Sequence, residues 1–349
     1  MKCFLHIGTE KTATSTIQSF FNMNRQNLLK KGWIYTSAAG VQNNLALPVA
    51  AYDLKTRDSL TQLFSVNSDN DLSDLQSKII FNLRKEIMDI SRNNQDFKIV
   101  FSSELLQSRL VHIEEIKRLK EILYLIGVTD VSVIVYLRRP AEIANSLYST
   151  ALKVGHISDS PQPPTNYYIE NICNHRNTLE KWGSVFGKTA IVPRLFEKDA
   201  LKNGSIIYDL LNEIGLSIDH SDILPKNANK SLSRTGVDLL KRLNHMIPRL
   251  IDDQINPVRD NLASYFEKYF TGDKYVMAKH LYEEYDLAFR ESNEWVRKLY
   301  FPERKTLFEE SIPEETIQQI PEAELDRIAD FIACVWNDKQ NIIIGLNSK

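Results

Sequence analysis

Lys11 stands three residues after Gly8 in the run Gly8-Thr9-Glu10-Lys11-Thr12-Ala13-Thr14-Ser15-Thr16. A lysine followed at once by hydroxyl residues suits an anion: the ammonium supplies charge, and Thr12, Thr14, Ser15 and Thr16 supply donors. Two further positions carry usable chemistry. Glu104 follows the β-prone run Phe97-Lys98-Ile99-Val100-Phe101 and is a candidate proton acceptor. Arg138 ends the apolar run 131–137 and is followed eight residues later by Ser146. A guanidinium fork and a hydroxyl at that spacing together suit a phosphate group.

The elements around these residues are readable from their periodicity. Residues 2–7 read as a short strand, Gly8 opens a turn, and 12–28 read as a helix with Ile17, Phe20, Phe21 and Leu28 on one face. A strand that runs through a hydroxyl-rich turn into a helix offers free backbone N–H groups and the positive end of the helix dipole. That geometry binds a phosphate-like anion. The pattern of ATP and GTP loops, G-x-x-x-x-G-K-[ST], does not fit, because its lysine comes six residues after the first glycine. Residues 32–36 read as an edge strand, and Leu75, Ile79, Leu83, Ile87 and Ile90 as a helical stripe. The run 131–137 reads as a strand buried on both faces. Pro140 then opens a helix with Ile143, Leu147 and Val154 on its buried side. Strands and helices alternate to about residue 216, which predicts an α/β fold: a three-layer, doubly wound parallel sheet. Beyond it a mainly helical part is expected. Thr235 and Asp238 have capping-box spacing, and a last amphipathic helix follows Pro321.

The loop 8–16 closely resembles the 5′-phosphosulfate loop of sulfotransferases, written K-x-G-T-[TS], whose donor is 3′-phosphoadenosine 5′-phosphosulfate (PAPS). Ala13 departs from that pattern, which most often has glycine there. If the position needs positive φ, alanine costs about 1 kcal/mol; inside the first helical turn it costs nothing. The segment from Tyr136 to Tyr148, with Arg138 and Ser146, resembles the family's 3′-phosphate motif; Arg139 is expected to turn outward. Weaker resemblance to a bacterial carbohydrate-type group covers 179–187, 189–196, 227–233 and 292–308. The resemblance implies a P-loop-like sulfotransferase domain over 1–349, with a nucleotide-binding core at about 1–216 and a helical extension at about 217–349. It implies Lys11 as the cation on the leaving phosphate and Glu104 as the base, because relatives often place a catalytic glutamate or histidine after the corresponding strand. Lys11, Thr12, Ala13, Thr14, Ser15, Thr16, Arg138 and Ser146 are the donor-binding set it implies. A loop that closes over the nucleotide in relatives adds Lys230, with Lys226 and Arg234 as lesser candidates. Asn43 and Asn44 fall where relatives often carry a histidine near the acceptor. The acceptor implied is a hydroxyl of a carbohydrate or glycan precursor, and no metal is expected, since Lys11 and Arg138 supply the positive charge.

Composition narrows the classes. The 349 residues carry a net charge of −2, which offers no basic field for nucleic acid. No run of 18 apolar residues occurs, so no membrane span is expected. The first residues do not have the layout of a secretion signal. Cys3, Cys173 and Cys334 are scattered, which fits buried thiols in a reducing compartment, and a cytoplasmic protein is the expectation. No C-x-x-C or H-x-x-x-H spacing suggests zinc. His6 reads as a hydrogen-bonded core residue and His156 as an exposed loop residue. Two other functions stay open: a divergent nucleotide or small-molecule kinase, and a catalytically silent nucleotide-binding scaffold.

Overall fold

In the computed structural model, which describes residues 1–92, 97–225, 232–252, 254–270, 274–309, 311, 312, 314 and 320–347, two units interleave along the chain. The first comprises Met1–Arg139, Glu170–Lys226 and Phe289–Phe308; the second comprises Pro140–Ile169, Asn227–Ala288 and Glu309–Lys349. The chain therefore does not divide at one point near 216.

The elements follow in the order β1 (Lys2–His6), α1 (Thr14–Met23), α2 (Arg25–Lys30), β2 (Trp33–Tyr35), α3 (Ala46–Ala51), α4 (Ser59–Leu63), α5 (Asp69–Ser91), β3 (Lys98–Ser102), α6 (Leu105–Arg109), α7 (Ile113–Leu125) and β4 (Asp130–Leu137). Next come α8 (Pro140–Lys153), α9 (Tyr167–Cys173), α10 (His175–Phe186), β5 (Ile191–Leu195) and α11 (Ile206–Ile214). The five strands form one parallel sheet in the order β2-β3-β1-β4-β5. β2 is an edge strand as expected, and β4 lies inside the sheet, with β1 as the middle strand.

Alternation along these strands explains why they read as unbroken apolar runs. Cys3, Leu5, Ile99, Phe101, Val133, Val135 and Leu137 enter one core, with side chains of α3, α5, α7 and α10 such as Leu47, Leu83, Leu119 and Trp182. Phe4, Val100, Ile134 and Tyr136 point the other way, onto Ile17, Phe20 and Phe21 of α1 and Ile207, Leu210 and Leu211 of α11. Helices thus cover both faces, and the unit is a three-layer, P-loop-like α/β arrangement. Each such side chain contributes roughly 1.5–3 kcal/mol of burial, so α1 is firmly seated beneath the loop that precedes it.

The helix expected over 12–28 is shorter and broken. It begins at Thr14, because Ala13 is left-handed (φ 57°, ψ 33°). It stops at Asn24, whose buried amide donates to the carbonyls of Phe20 and Ile223 and accepts from the Ile223 N–H. A side chain that bonds nearby backbone competes with helix continuation.

In the second unit α8 packs against α12 (Arg234–Met246), which packs against α16 (Glu322–Asn347). Their core includes Tyr148, Leu152, Leu240, Leu243, Leu325 and Trp336. Between α12 and α16 the chain forms a short antiparallel pair, β6 (Leu250–Ile251) and β7 (Gln254–Ile255), then α13 (Leu262–Tyr269) and α14 (Lys279–Ala288). α15 (Arg290–Tyr300) returns to the first unit. Of the residues expected on the buried side of α8, Ile143 is buried, Leu147 is half-buried, and Val154 lies past the helix end and is exposed; Ala144, Tyr148 and Leu152 complete the buried face. Ser233, not Thr235, caps α12, accepting from the Gly236 N–H, and Asp238 pairs with Arg234 one turn away. Cys3 and Cys173 are buried, but Cys334 is exposed on α16. Among the described residues, no helix is long and apolar enough to cross a membrane.

Candidate functional site

The loop between β1 and α1 is held by its own hydroxyls. Thr9 donates both its N–H and its hydroxyl to the Tyr136 carbonyl (3.0 Å each), and Thr12 Oγ1 donates to the Thr9 carbonyl (2.6 Å). The hydroxyl proton of Thr12 therefore braces the loop. Lys11 and Ala13 both adopt positive φ, 65° and 57°, which folds the segment back on itself before the helix starts. The Thr16 and Ile17 N–H groups reach the Ala13 carbonyl, and Ala13 caps the helix without a side-chain bond. The N–H groups of Thr14 and Ser15 thus have no intrahelical acceptor, which is the arrangement an anion exploits. Thr14 is buried, Thr16 half-buried and Ser15 exposed.

β4 delivers Arg138 to this loop. Its Nη1 donates to the Lys11 carbonyl at 2.7 Å, and its guanidinium lies 5.6 Å from the centre of the Phe196 ring. The Arg138 carbonyl in turn is 2.8 Å from His175 Nε2, at the start of α10. Burial pushes the His175 pKa down to about 4, although the bond to Arg138 favours the charged ring, so the neutral imidazole donates there near pH 7. Arg139 is 6% exposed and turns inward rather than toward solvent.

β3 delivers Glu104 to the other side. An ideal Cβ on Gly8 would lie 3.0 Å from the Glu104 Cα and 3.2 Å from its Cβ, at φ +109°, so only glycine lets the two backbones approach so closely. The strand end is stitched on both flanks. The Ser103 N–H donates to the His6 carbonyl, while Asn44 accepts from the Ser102 N–H through its side chain and donates to the Ser102 carbonyl through its own N–H. Glu104 Oε2 accepts from Gln18 Nε2 at 2.7 Å. Glu104 is the N-cap residue of α6 and makes no side-chain cap bond there. His6 is fully buried, with Nδ1 2.8 Å from Ser102 Oγ, and desolvation lowers its pKa to about 3.

The strand order reverses at β1, with β2 and β3 on one side and β4 and β5 on the other. Ligands of open α/β sheets bind at that switch point, beyond the carboxyl ends of the strands. The loop, Glu104 and Arg138 all lie at such ends. Ser146 belongs to the second unit, half-buried on α8, where its carbonyl accepts from the Thr150 hydroxyl. Arg234, also in that unit, pairs with Asp238 at 2.9 Å and lies over the Tyr275 ring. Lys226 and Lys230 lie outside the described residues. Asn43 is half-buried, and Asn44 is buried and clasps β3 through its Oδ1. His156 is exposed. Among the described residues, no three His, Cys, Asp or Glu side chains cluster as metal ligands. A cavity of about 690 Å³ opens beside β2, lined by Arg25, Trp33, Tyr35, Lys85 and Glu86 among others, and none of the candidate residues lines it.

Sequence reasoning missed Gln18, Asn44 as a clasp, and His175. Gln18 alone left a signal: an amide inside the apolar stripe of Ile17, Phe20 and Phe21.

No family model matches the chain. Over 251 residues, 67% of its length, it is 22% identical to an uncharacterized protein of Archaeoglobus fulgidus, and the match spans 65% of that protein, just under two thirds. A crystal structure of a sulfotransferase from Alicyclobacillus acidocaldarius is similar over 65% of this chain and 85% of that one, at 14% identity and a TM-score of 0.38.

Proposed function

We propose that this protein transfers a sulfuryl group from PAPS to a hydroxyl acceptor, a carbohydrate or glycan precursor, in the cytoplasm. The observation that carries the reading is the meeting of three strand ends. The hydroxyl-rich loop with Lys11 follows β1, the Arg138 fork of β4 touches that loop, and the Glu104 backbone abuts Gly8. The motif content of the loop and of Arg138 to Ser146 supports PAPS over ATP.

In this reading the 5′-phosphosulfate lies on the N–H groups of Thr14 and Ser15, with the Ser15 and Thr16 hydroxyls beside them. The acceptor oxygen attacks sulfur in line as the sulfur–oxygen bond to the 5′-phosphate breaks. The electron pair goes to the bridging oxygen, where the Lys11 ammonium stabilises the developing charge. The acceptor proton goes to the Glu104 carboxylate. Arg138 takes the 3′-phosphate, and Ser146 and Lys230 are the further donor-binding candidates that the sequence motif implies.

Adenosine 3′,5′-bisphosphate should raise the thermal midpoint while ATP, with or without magnesium, does so much less. Equal shifts, or a shift that requires magnesium, would favour a kinase. Arg138→Ala should weaken bisphosphate binding about 10- to 100-fold, the loss of a charge-assisted hydrogen bond of about 1.5–3 kcal/mol. Lys11→Ala should still bind the bisphosphate but lose sulfuryl transfer from labelled PAPS to a sugar panel; unchanged turnover overturns the mechanism.

A further inference from the structure

Gln18 is 3% exposed and sits on α1 among Ile17, Phe20 and Phe21, whose burial leaves the helix no freedom to turn. A buried amide costs free energy unless its donors are used. Here Nε2 lies 2.7 Å from Glu104 Oε2, and its next acceptor, the Ser102 carbonyl, is 3.5 Å away, at the limit of a hydrogen bond. The charged partner is the one that offsets the burial. Glu104 Oε1 has no hydrogen-bond partner among the described residues.

We propose that Gln18 is a positioning residue for the proton-accepting carboxylate: it holds Oε2 so that Oε1 faces the acceptor hydroxyl. This rests on the sulfuryl-transfer reading. Gln18 lies four residues after Thr14, whose N–H belongs to the anion cradle, so one rigid helix sets both the donor's seat and the base's orientation. In the step it serves, the acceptor O–H proton passes to Oε1 as the acceptor oxygen bonds sulfur, and the electrons of the broken sulfur–oxygen bond leave with adenosine 3′,5′-bisphosphate. Without the amide the carboxylate rotates about its own torsions, and the reacting geometry is populated less often. Gln18 acts on the carboxylate and not on the donor, so its loss should alter turnover and leave donor affinity alone.

Two measurements on the full chain test this. With side-chain amides labelled with ¹⁵N, the Gln18 amide protons in wild type should move with pH as the Glu104 carboxyl titrates, and should not move in Glu104→Gln. Gln18→Met keeps the volume and removes the donor. With PAPS and the sugar panel, it should lower kcat about tenfold or more while KM for PAPS stays within about twofold. It should also displace the acid limb of the pH–rate profile, which simple loosening of a helix would not do, and Gln18→Glu should recover part of the rate at acidic pH, where a protonated carboxyl can donate again. Wild-type kcat and an unmoved acid limb in Gln18→Met, with Glu104→Gln inactive, overturn the inference and leave the sulfuryl-transfer reading standing. Wild-type protein that neither binds nor turns over PAPS overturns that reading instead. An amide resonance that ignores pH refutes the Gln18–Glu104 pair itself.

Discussion

Gly8→Ala is the substitution that most directly tests how the site is held together. Two costs add. Gly8 has φ +109°, and an L-residue at positive φ costs about 1–2 kcal/mol. The new methyl would also stand 3.0 Å from the Glu104 Cα, a backbone atom that cannot swing aside, and overpacking of this kind costs about 1–3 kcal/mol. Against these, alanine restricts the unfolded chain and returns about 0.4–1 kcal/mol. The net loss should be roughly 1–5 kcal/mol, with about 3 as the central figure, a large share of the ~5–15 kcal/mol that ordinarily separates folded from unfolded protein. Gly127 supplies the control, with φ +90° and no atom within 4 Å of an added Cβ. Gly127→Ala therefore bears the conformational cost without the collision, and the gap between the two variants isolates the contact with Glu104 at about 1–3 kcal/mol. Urea unfolding followed by tryptophan fluorescence suits the measurement, because Trp33, Trp182 and Trp295 belong to the first unit and only Trp336 to the second. If Gly8→Ala proves no more costly than Gly127→Ala, the close approach of Glu104 to the loop is refuted.

Ala13→Gly relieves a left-handed alanine (φ 57°), worth about 1–2 kcal/mol, against about 0.4–1 kcal/mol of extra unfolded-state freedom, so a gain of up to about 1.6 kcal/mol in urea is expected and a clear loss would count against strain at this position. The buried histidines make the first unit acid-sensitive. His6 and His175 have folded pKa values of about 3 and about 4, below their ordinary 6.5, so the stability they contribute is full above about 6.5 and is lost as pH falls toward those values. Each contributes up to about 1.4 kcal/mol per pH unit across that window. His6→Gln should remove one histidine's share of the slope between pH 4 and 6; an unchanged slope would mean that His6 is already charged in the folded state. Asp209, 1% exposed, accepts from the Tyr136 hydroxyl, from two nitrogens of Arg194 and from the Lys202 N–H. Asp209→Ala should destabilise the first unit by about 3 kcal/mol or more, as expected when a buried pair loses one partner, and a loss below about 1 kcal/mol would show that Glu213 alone can hold Arg194.

The parallel sheet was legible because strands covered on both faces carry apolar residues at every position, as Val133 to Leu137 do, and no tertiary information is needed to see that. The turn after β1 was legible for a local reason too: Gly8 ends the apolar strand, and a run rich in hydroxyl residues follows it before the helix. Helix limits were less legible. Asn24 ends α1 through bonds to Ile223, a partner 199 residues away that no local pattern reveals. The extent of the units was hidden as well. Residues 289–308 join the sheet's core through Val296, Leu307 and Phe308, although the chain around them belongs to the second unit.

Sequence alone determined which residues have the charge and hydroxyl chemistry for an anion, Lys11, Thr12, Thr14, Ser15, Thr16 and Arg138, and which carboxylate, Glu104, could accept a proton. Their types and order along the chain carry that information, because donor and acceptor capacity is a property of each side chain. Only the tertiary structure decided that Ala13 must be left-handed, that Arg138 grips the Lys11 carbonyl, and that Gln18 holds Glu104. Those depend on distances between strand ends far apart in sequence, which the packing of both sheet faces sets and no local spacing encodes.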